Sequence, residues 1–221
     1  MGRTRKPAKK VGRGQGGARR RARDRRALIF AGLFVLAIGV VFLSWPRAQP
    51  QPTARLQPAD EPFLGSSSAP VTIVEYGDFG CTICRRWHKQ GVLDQILAHY
   101  GDRVRFVWRD FPIITAYSPK AAEAGQCAFG QGQFWEYHDL LYDRAPALSV
   151  SDIKTYAAEL GIDTARFDSC LDSGVYRAKV EASTKEAFGH GFRGTPGFLV
   201  NDRPIAGPGS FEYFQAIIDG S

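Results

Sequence analysis

The sequence has no net positive charge outside its first 26 residues. The chain of 221 residues carries 29 Lys and Arg against 22 Asp and Glu, a formal net charge of +7. Residues 1–26 hold 12 of the basic residues and one acid, Asp24, so residues 27–221 hold 17 basic and 21 acidic residues, a net charge of −4. Because a net acidic region does not attract a phosphate backbone, this distribution argues against a nucleic-acid-binding protein.

Residues 1–26 also have almost no large apolar side chains and are dominated by Gly and basic residues. A segment of this composition cannot bury enough surface to offset the entropy lost on ordering, so we predict a disordered basic tail. RNA-binding segments have a similar composition. The tail therefore either serves only to orient a membrane segment that follows it or has a further role.

Residues 27–45 lack charged side chains altogether. As a helix this stretch is about 28 Å long, close to the ~30 Å hydrocarbon core of a bilayer, and we predict a single transmembrane helix. The Arg-rich run before it favours a cytoplasmic N-terminus, with the rest of the chain in the periplasm or on the outer face of the cell membrane. The alternatives are a cleaved signal peptide, for which Ser44-Trp45-Pro46 is a poor cleavage site, and a twin-arginine signal at Arg25-Arg26.

Five prolines fall within residues 46–62, which predicts an extended, semi-rigid linker. Residues 63–221 then form the folded domain. A domain of this length buries roughly 70% of its unfolded surface, so we expect it to fold without further support.

The hydrophobic pattern of that domain predicts a mixed α/β fold. The β-branched run 71–76 and the alternating run 104–109 indicate strands, and 198–201 followed by 204–206 indicates a hairpin. Helical spacing covers residues 81–100 and 211–219, with several short helices between them over about 118–189. The order predicts a sheet core interrupted by an all-helical insertion.

Cysteine is scarce: the chain has four. Cys81-Thr-Ile-Cys84 follows a predicted strand at the point where a helix begins, which is the context of a redox C-x-x-C motif. Unpaired backbone N–H groups in the first helical turn stabilise a thiolate there and lower its pKa. We therefore predict Cys81 as the nucleophile and Cys84 as the resolving cysteine, with no cofactor besides their redox-active disulfide.

Other uses of the motif lack the residues that they need. A c-type haem site requires His after the second cysteine, where this chain has Arg85, and a zinc site requires a second C-x-x-C or a His pair. A purely structural bridge over four residues gains little entropy. We predict no metal, and we interpret His88, four residues after Cys84, as a packing or solvent-facing residue.

The sequence resembles the DsbA family of exported disulfide oxidoreductases, in particular its membrane-tethered bacterial members. The resemblance covers about residues 63–220 and implies a thioredoxin-like fold. It is carried by the run from Ala69 to Phe79 before the motif, by Phe134-Trp-Glu-Tyr-His-Asp-Leu-Leu, by Gly191-Phe-Arg-Gly-Thr-Pro-Gly-Phe-Leu-Val-Asn, and by the positions of Cys127 and Cys170.

The resemblance implies roles for further residues. Thr195-Pro196 is expected to be a cis peptide that faces the cysteines and presents backbone groups to a substrate strand. Glu75 is expected to move the proton of the resolving thiol, for which a buried carboxyl with a raised pKa is suited. The alternatives are an ordinary X-Pro bend before a strand and a strand-edge acid that faces water.

The second cysteine pair lies where many relatives have one, and we interpret Cys127 and Cys170 as a structural disulfide between two helices of the insertion. Independent buried thiols are the alternative. The chain departs from the strong oxidants of the family at Thr82-Ile83, where those proteins have Pro-His, so a less oxidising potential is expected. Arg85 either replaces part of that positive charge or is solvated.

These features together predict a monomeric enzyme that oxidises cysteines of exported proteins and is reoxidised by a membrane partner. An isomerase or reductase is the alternative within the same class. A client-binding chaperone module with secondary redox activity is the alternative from another class.

Overall fold

The computed structural model describes residues 61–205 and 207–220. The predicted tail, the predicted transmembrane helix and residues 46–60 of the predicted linker lie outside these described residues. Among the helices of the described part, none is long and apolar enough to cross a membrane.

Five strands form one mixed sheet in the order β1-β3-β2-β4-β5. Parallel pairing joins β2 and β3, whereas β1 pairs with β3, β4 with β2 and β5 with β4 in antiparallel fashion. β2 is therefore an interior strand with hydrogen-bonded neighbours on both sides. The strands are β1 Phe63–Gly65, β2 Val71–Gly77, β3 Val104–Asp110, β4 Gly197–Val200 and β5 Arg203–Ile205.

Three helices cluster with apolar residues of the sheet: α1 Thr82–Lys89, α2 Val92–Tyr100 and α8 Phe211–Asp219. (α3–α7 form the insertion described below.) Trp87 of α1 and Phe214 of α8 belong to the same buried cluster as Ile73 of β2. The Trp87 indole Nε1 also donates a hydrogen bond of 2.9 Å to the carbonyl of Gly209, which ties α1 to the segment before α8.

The sequence predicted one helix from Cys81 to about Tyr100, and the structure has two. Gly91 lies between them with a φ of +67°, in the left-handed region. Glycine adopts this conformation without the steric cost that other residues have, so the chain turns here and α2 starts in a new direction.

The helical insertion between β3 and β4 is confirmed. It consists of α3 Ser118–Phe129, α4 Phe134–Arg144, α5 Val150–Glu159, α6 Thr164–Ser173 and α7 Arg177–Gly189. A capping box formed by Ser149 and Asp152 defines the start of α5. The insertion buries an apolar cluster of its own, which includes Tyr137, Leu141 and Phe167.

The start of the domain differs from the prediction in two ways. The short strand β1 was not expected, and the predicted linker extended to residue 62. In the structure, Glu61 is buried, with Oε1 3.3 Å from Arg109 Nη1 and Oε2 3.3 Å from Lys179 Nζ. The Pro62 carbonyl accepts a hydrogen bond of 2.9 Å from the Trp108 amide. Residues 61 and 62 thus belong to the packed domain.

The predicted hairpin lies one residue earlier than expected on both strands. Its turn residues Asn201 and Asp202 have φ values of 48° and 63°, a pair of positive angles that suits a two-residue hairpin turn. Asn201 Oδ1 also accepts a hydrogen bond of 2.9 Å from the Thr72 amide, which fixes the turn against β2.

Candidate active site

The C-x-x-C motif lies where β2 gives way to α1. Cys81 is the N-cap residue of α1, and its Sγ accepts a hydrogen bond of 3.4 Å from the Cys84 amide. Both cysteines carry free thiols; 4% of Cys81 is exposed and Cys84 is fully buried. Cys81 is thus the more accessible of the two, which is the arrangement that a nucleophile and a resolving cysteine require.

The loop before Cys81 is held by the buried carboxylate of Asp78. Its Oδ1 accepts a hydrogen bond of 2.7 Å from the Gly80 amide and its Oδ2 one of 2.8 Å from the Ile114 amide. A Cβ at Gly80 would come within 2.6 Å of Ser118 Oγ, so this position suits glycine. These contacts fix where Cys81 enters the helix.

The two thiols have opposite pKa shifts. Hydrogen bonding by the Cys84 side chain, supported by backbone amides of the first helical turn, lowers the pKa of Cys81 to about 6, although burial acts against it. Burial raises the pKa of Cys84 far above its ordinary value, and the hydrogen bond to Cys81 and the charge of Glu75 raise it further. At neutral pH Cys81 is therefore a thiolate and Cys84 a thiol.

Thr195-Pro196 is a cis peptide, and it faces the motif. In its protonated form, the Cys81 thiol donates a hydrogen bond of 3.3 Å to the Thr195 carbonyl. Both Thr195 and Pro196 are buried at the start of β4. The structure thus brings together the two features that the sequence placed more than a hundred residues apart.

Glu75 lies on β2 and is fully buried, so it is not a strand-edge acid that faces water. Its Oε2 is 2.9 Å from Nε2 of His88 on α1, while its Oε1 has no hydrogen-bond partner among the described residues. The charge of Glu75 is close enough to Cys84 to raise the pKa of that thiol. One oxygen of the Glu75 carboxyl group therefore contacts His88, and the other is available for proton exchange with the active site.

Aromatic rings of the insertion close the site on the side of His88. The rings of His138 and Tyr142 on α4 have centroids 4.6 and 5.0 Å from that of His88. Burial lowers the pKa of His138 to about 4, so this imidazole is neutral at pH 7. Phe79 stacks on Trp108 at 5.0 Å and joins the same aromatic group.

Arg85 does not supply positive charge to the thiolate through a hydrogen bond. Its Nη1 donates to the carbonyl of Ala145 instead, at the end of α4. Thr82 and Ile83 are exposed, with 47% of Ile83 accessible. The low pKa of Cys81 therefore depends on its hydrogen bonds rather than on a neighbouring cation.

Cys127 and Cys170 form a disulfide, with Cα atoms 6.0 Å apart. The bond joins α3 to α6 within the insertion. It connects two helices that also pack against each other, in agreement with a structural disulfide.

Sequence reasoning missed two residues of the site. His88 was interpreted as a packing or solvent-facing residue, although its position four residues after Cys84 placed it on the same helical face. His138 was visible only as part of the motif 134–141. Because His138 is far from His88 in the sequence, no local pattern indicated that the two residues are in contact.

The fold and the geometry of the motif define a thioredoxin-like protein. A family model described as Thioredoxin matches residues 58–220, and the chain belongs to this family. The predicted α/β thioredoxin-like fold is thereby confirmed.

Two solved structures are similar to this chain. A thioredoxin-like oxidoreductase from Silicibacter pomeroyi DSS-3 is 30% identical, with a TM-score of 0.65, over 73% of this chain and 91% of that one. The thiol-disulfide exchange protein alpha-DsbA2 from Wolbachia pipientis is 20% identical, with a TM-score of 0.64, over 72% and 86% of the two chains. The second likeness supports the fold alone.

Curated relatives include much longer proteins. The Na⁺/H⁺ antiporter NhaA of Herminiimonas arsenicoxydans is 36% identical over 170 residues, which are 75% of this chain and 27% of that protein. The chain spans about a quarter of the length of the curated relatives that it matches.

Proposed function

We propose that this chain is a membrane-anchored thiol–disulfide oxidoreductase that works outside the cytoplasm and oxidises cysteines of exported proteins. The observation that carries the proposal is the asymmetry of the two cysteines. Cys81 has a pKa lowered to about 6, whereas burial keeps Cys84 protonated. A stabilised Cys81 thiolate favours the reduced enzyme, and an enzyme with a stable reduced form passes its disulfide on to clients.

The reaction exchanges one disulfide for another. A client thiolate attacks Cys81 Sγ, the Cys81–Cys84 bond breaks, and Cys84 leaves with the electron pair and takes up a proton. A second client thiolate then attacks the client sulfur of the mixed disulfide, and Cys81 leaves as a thiolate. The client dithiol is oxidised to a disulfide, and the enzyme disulfide is reduced to the pair that the structure contains.

The surroundings of the motif support contact with an extended client. The Thr195 carbonyl lies 3.3 Å from Cys81 Sγ, where main-chain groups of a bound strand are also within reach. Exposed apolar side chains lie beside the loop that leads to the motif and on α1 itself, namely Ile83, Ile114 and Tyr117. An unfolded segment with apolar residues next to its cysteines suits this surface.

The redox equilibrium of the full chain with glutathione, read by thiol alkylation, tests the direction of the reaction. A reduction potential of roughly −120 to −180 mV supports the oxidase. A potential near roughly −270 mV, as in thioredoxin, contradicts it and identifies a reductase, whose partner is an electron donor.

The membrane anchor is part of the proposal and rests on the uncharged residues 27–45 and the basic run before them. The full chain should remain in the membrane pellet after alkaline extraction, and a variant that lacks residues 27–45 should be released. Release of the full chain by the same treatment argues against an anchor.

A client-binding module is the second candidate, and the exposed apolar side chains beside the motif favour it. The double variant Cys81→Ala/Cys84→Ala separates the two. If it still suppresses aggregation of an unfolded client as well as the unaltered chain does, binding is a function of its own; if suppression disappears, binding only serves the redox reaction.

A further inference from the structure

We infer that His88 exchanges the proton of Glu75 with water and so sets the rate at which the Cys84 thiol is deprotonated or reprotonated. The inference rests on the proposed function and adds a residue to its proton path. His88 acts through Glu75 and does not touch the reacting sulfur atoms.

Glu75 is isolated from solvent. Its side chain is fully buried on β2, so it cannot exchange a proton with bulk water directly. Cys84 is fully buried as well. A proton that leaves or enters this pair has to pass through another group.

His88 is the group placed to do so. Its Nε2 lies 2.9 Å from Glu75 Oε2, a distance at which a proton passes along a hydrogen bond. About 10% of the His88 side chain is exposed, whereas that of Glu75 is entirely covered. Imidazole also titrates nearer to neutral pH than the other side chains that ordinarily carry protons, so it can both accept and release a proton there.

An open cavity of about 280 Å³ connects His88 with solvent. Its lining includes His88 and His138 and the charged residues Lys89, Asp94, Asp139 and Asp143. The cavity is large enough for several water molecules and for a free imidazole.

Besides the three carboxylates that line the cavity, the charged and titratable groups around His88 come from three elements. Glu75 faces it from β2, Lys89 is its neighbour on α1, and α4 contributes His138 and Tyr142. His138 stays neutral at pH 7 because burial lowers its pKa to about 4, and burial raises the pKa of Tyr142. Burial therefore argues against His138 as a proton carrier at pH 7, and His88 is the imidazole that contacts Glu75.

The proton balance follows the disulfide exchange. When a client opens the Cys81–Cys84 bond, the Cys84 thiolate takes a proton from the Glu75 carboxyl group, Glu75 takes one from the His88 imidazolium, and His88 takes one from cavity water. When Cys84 attacks a mixed disulfide at Cys81, each transfer runs in the opposite direction.

The test measures the two sulfur steps separately in the full chain, purified in detergent. Reduced protein is mixed with oxidised glutathione, and the products are quenched by alkylation. Attack by Cys81 gives a rate that rises with glutathione concentration; attack by Cys84 on the resulting mixed disulfide gives a rate that does not. His88→Gln and His88→Ala should leave the first rate unchanged and slow the second by about 100-fold, the lower end of the range for general acid–base catalysis.

Rescue and controls separate proton exchange from a structural role. Added imidazole should restore the Cys84 step of His88→Ala in proportion to its concentration, because the cavity admits it. The exposed His99→Ala, on α2, should match the unaltered chain in both steps. His88→Gln retains a hydrogen-bonding group beside Glu75, so it carries the test if His88→Ala fails to fold.

Three results overturn the inference. An unaltered Cys84 rate in folded His88→Gln shows that the proton takes another path. A slow His88→Ala that imidazole does not accelerate assigns His88 a structural role. Absence of the Cys81 step in the unaltered chain overturns the proposed function as well, so the two failures are distinguishable.

Discussion

Cys81 combines a nucleophile and a helix cap in one side chain. Its Sγ accepts the hydrogen bond that a Ser or Asp oxygen accepts at most N-caps. A cap of this kind is strongest when the sulfur is charged, so the helix terminus and the Cys84 side chain both favour the thiolate. Reactivity and local structure are thus linked at this residue.

The lowered pKa of Cys81 should appear in its alkylation rate. Because the thiolate is the reactive form, the rate with iodoacetamide should rise through a midpoint near pH 6, where the pKa of Cys81 lies, rather than near 9. Cys84 should stay unmodified in the folded chain throughout this range. A midpoint above pH 8 for Cys81 would contradict the hydrogen-bond arrangement described above.

The same pKa shift makes the stability of the reduced protein depend on pH. The folded-state pKa of Cys81 is lower than its unfolded value, so the thiolate contributes stability that is complete above pH 9 and lost as the pH falls through 6. The difference in unfolding free energy between the reduced chain and Cys81→Ser should therefore grow from pH 6 to pH 9. Denaturant titrations at several pH values measure it, and a constant difference would argue against the shift.

Removal of the resolving thiol should stop the reaction at the mixed disulfide. In Cys84→Ser the Cys81 thiolate still attacks a disulfide-bonded client, but no second thiol of the enzyme releases it. Non-reducing electrophoresis should show a covalent complex that Cys81→Ser does not form. Equal trapping by both variants would mean that Cys81 is not the attacking residue.

At the level of helices and strands, the disulfide between α3 and α6 should matter for stability and not for exchange. Cys127 and Cys170 are 43 residues apart, and closing a loop of that length is worth about 4 kcal/mol in the chain-entropy model. Cys127→Ala/Cys170→Ala should therefore unfold at a lower denaturant concentration. Its Cys81 alkylation profile should match that of the unaltered chain, and a changed profile in the folded variant would assign the bond a redox role.

The elements that could be predicted from sequence are those with a strong local pattern. β2 is a β-branched run, and α1 starts at a C-x-x-C motif, so strand, motif and helix follow from short-range information. β1 has three residues, too few to show a hydrophobic period. It forms because its backbone can pair with the edge of β3. The break at Gly91 was missed because the apolar spacing continues across it.

The contacts of the site were less predictable than its elements. Glu75 and His88 are 13 residues apart on different elements, and their pairing depends on how α1 is rotated over the sheet. His138 belongs to the insertion, and no local sequence pattern predicts how the insertion packs against α1. A single sequence therefore identifies the reactive cysteines, whereas the residues around Glu75 become apparent only in the folded structure.

At the scale of the molecule, Glu61 joins the first described residues to β3 and α7. Burial raises the pKa of its carboxyl group to about 7, more than the charges of Lys179 and Arg109 lower it. For an acid with a raised folded-state pKa, the contribution to stability is complete below the unfolded pKa of 4.5 and is lost as the pH rises through 7.

Glu61→Ala should therefore destabilise the domain more at pH 5 than at pH 8, opposite to the behaviour of an ion pair at the surface. Chemical denaturation of the variant and of the unaltered chain at the two pH values tests this. A larger loss at pH 8 would mean that attraction to the two cations outweighs the cost of burying the charge.

The interior position of β2 has a consequence for the clients. A strand that is hydrogen-bonded on both sides opens only when the whole domain opens, so its amide hydrogens should be among the slowest to exchange with deuterium. The C-x-x-C motif that follows β2 is thus attached to a rigid part of the sheet. Because the active site is rigid, the flexibility needed to align the attacking and leaving sulfur atoms has to come from the client. Unfolded clients should therefore react faster than folded ones.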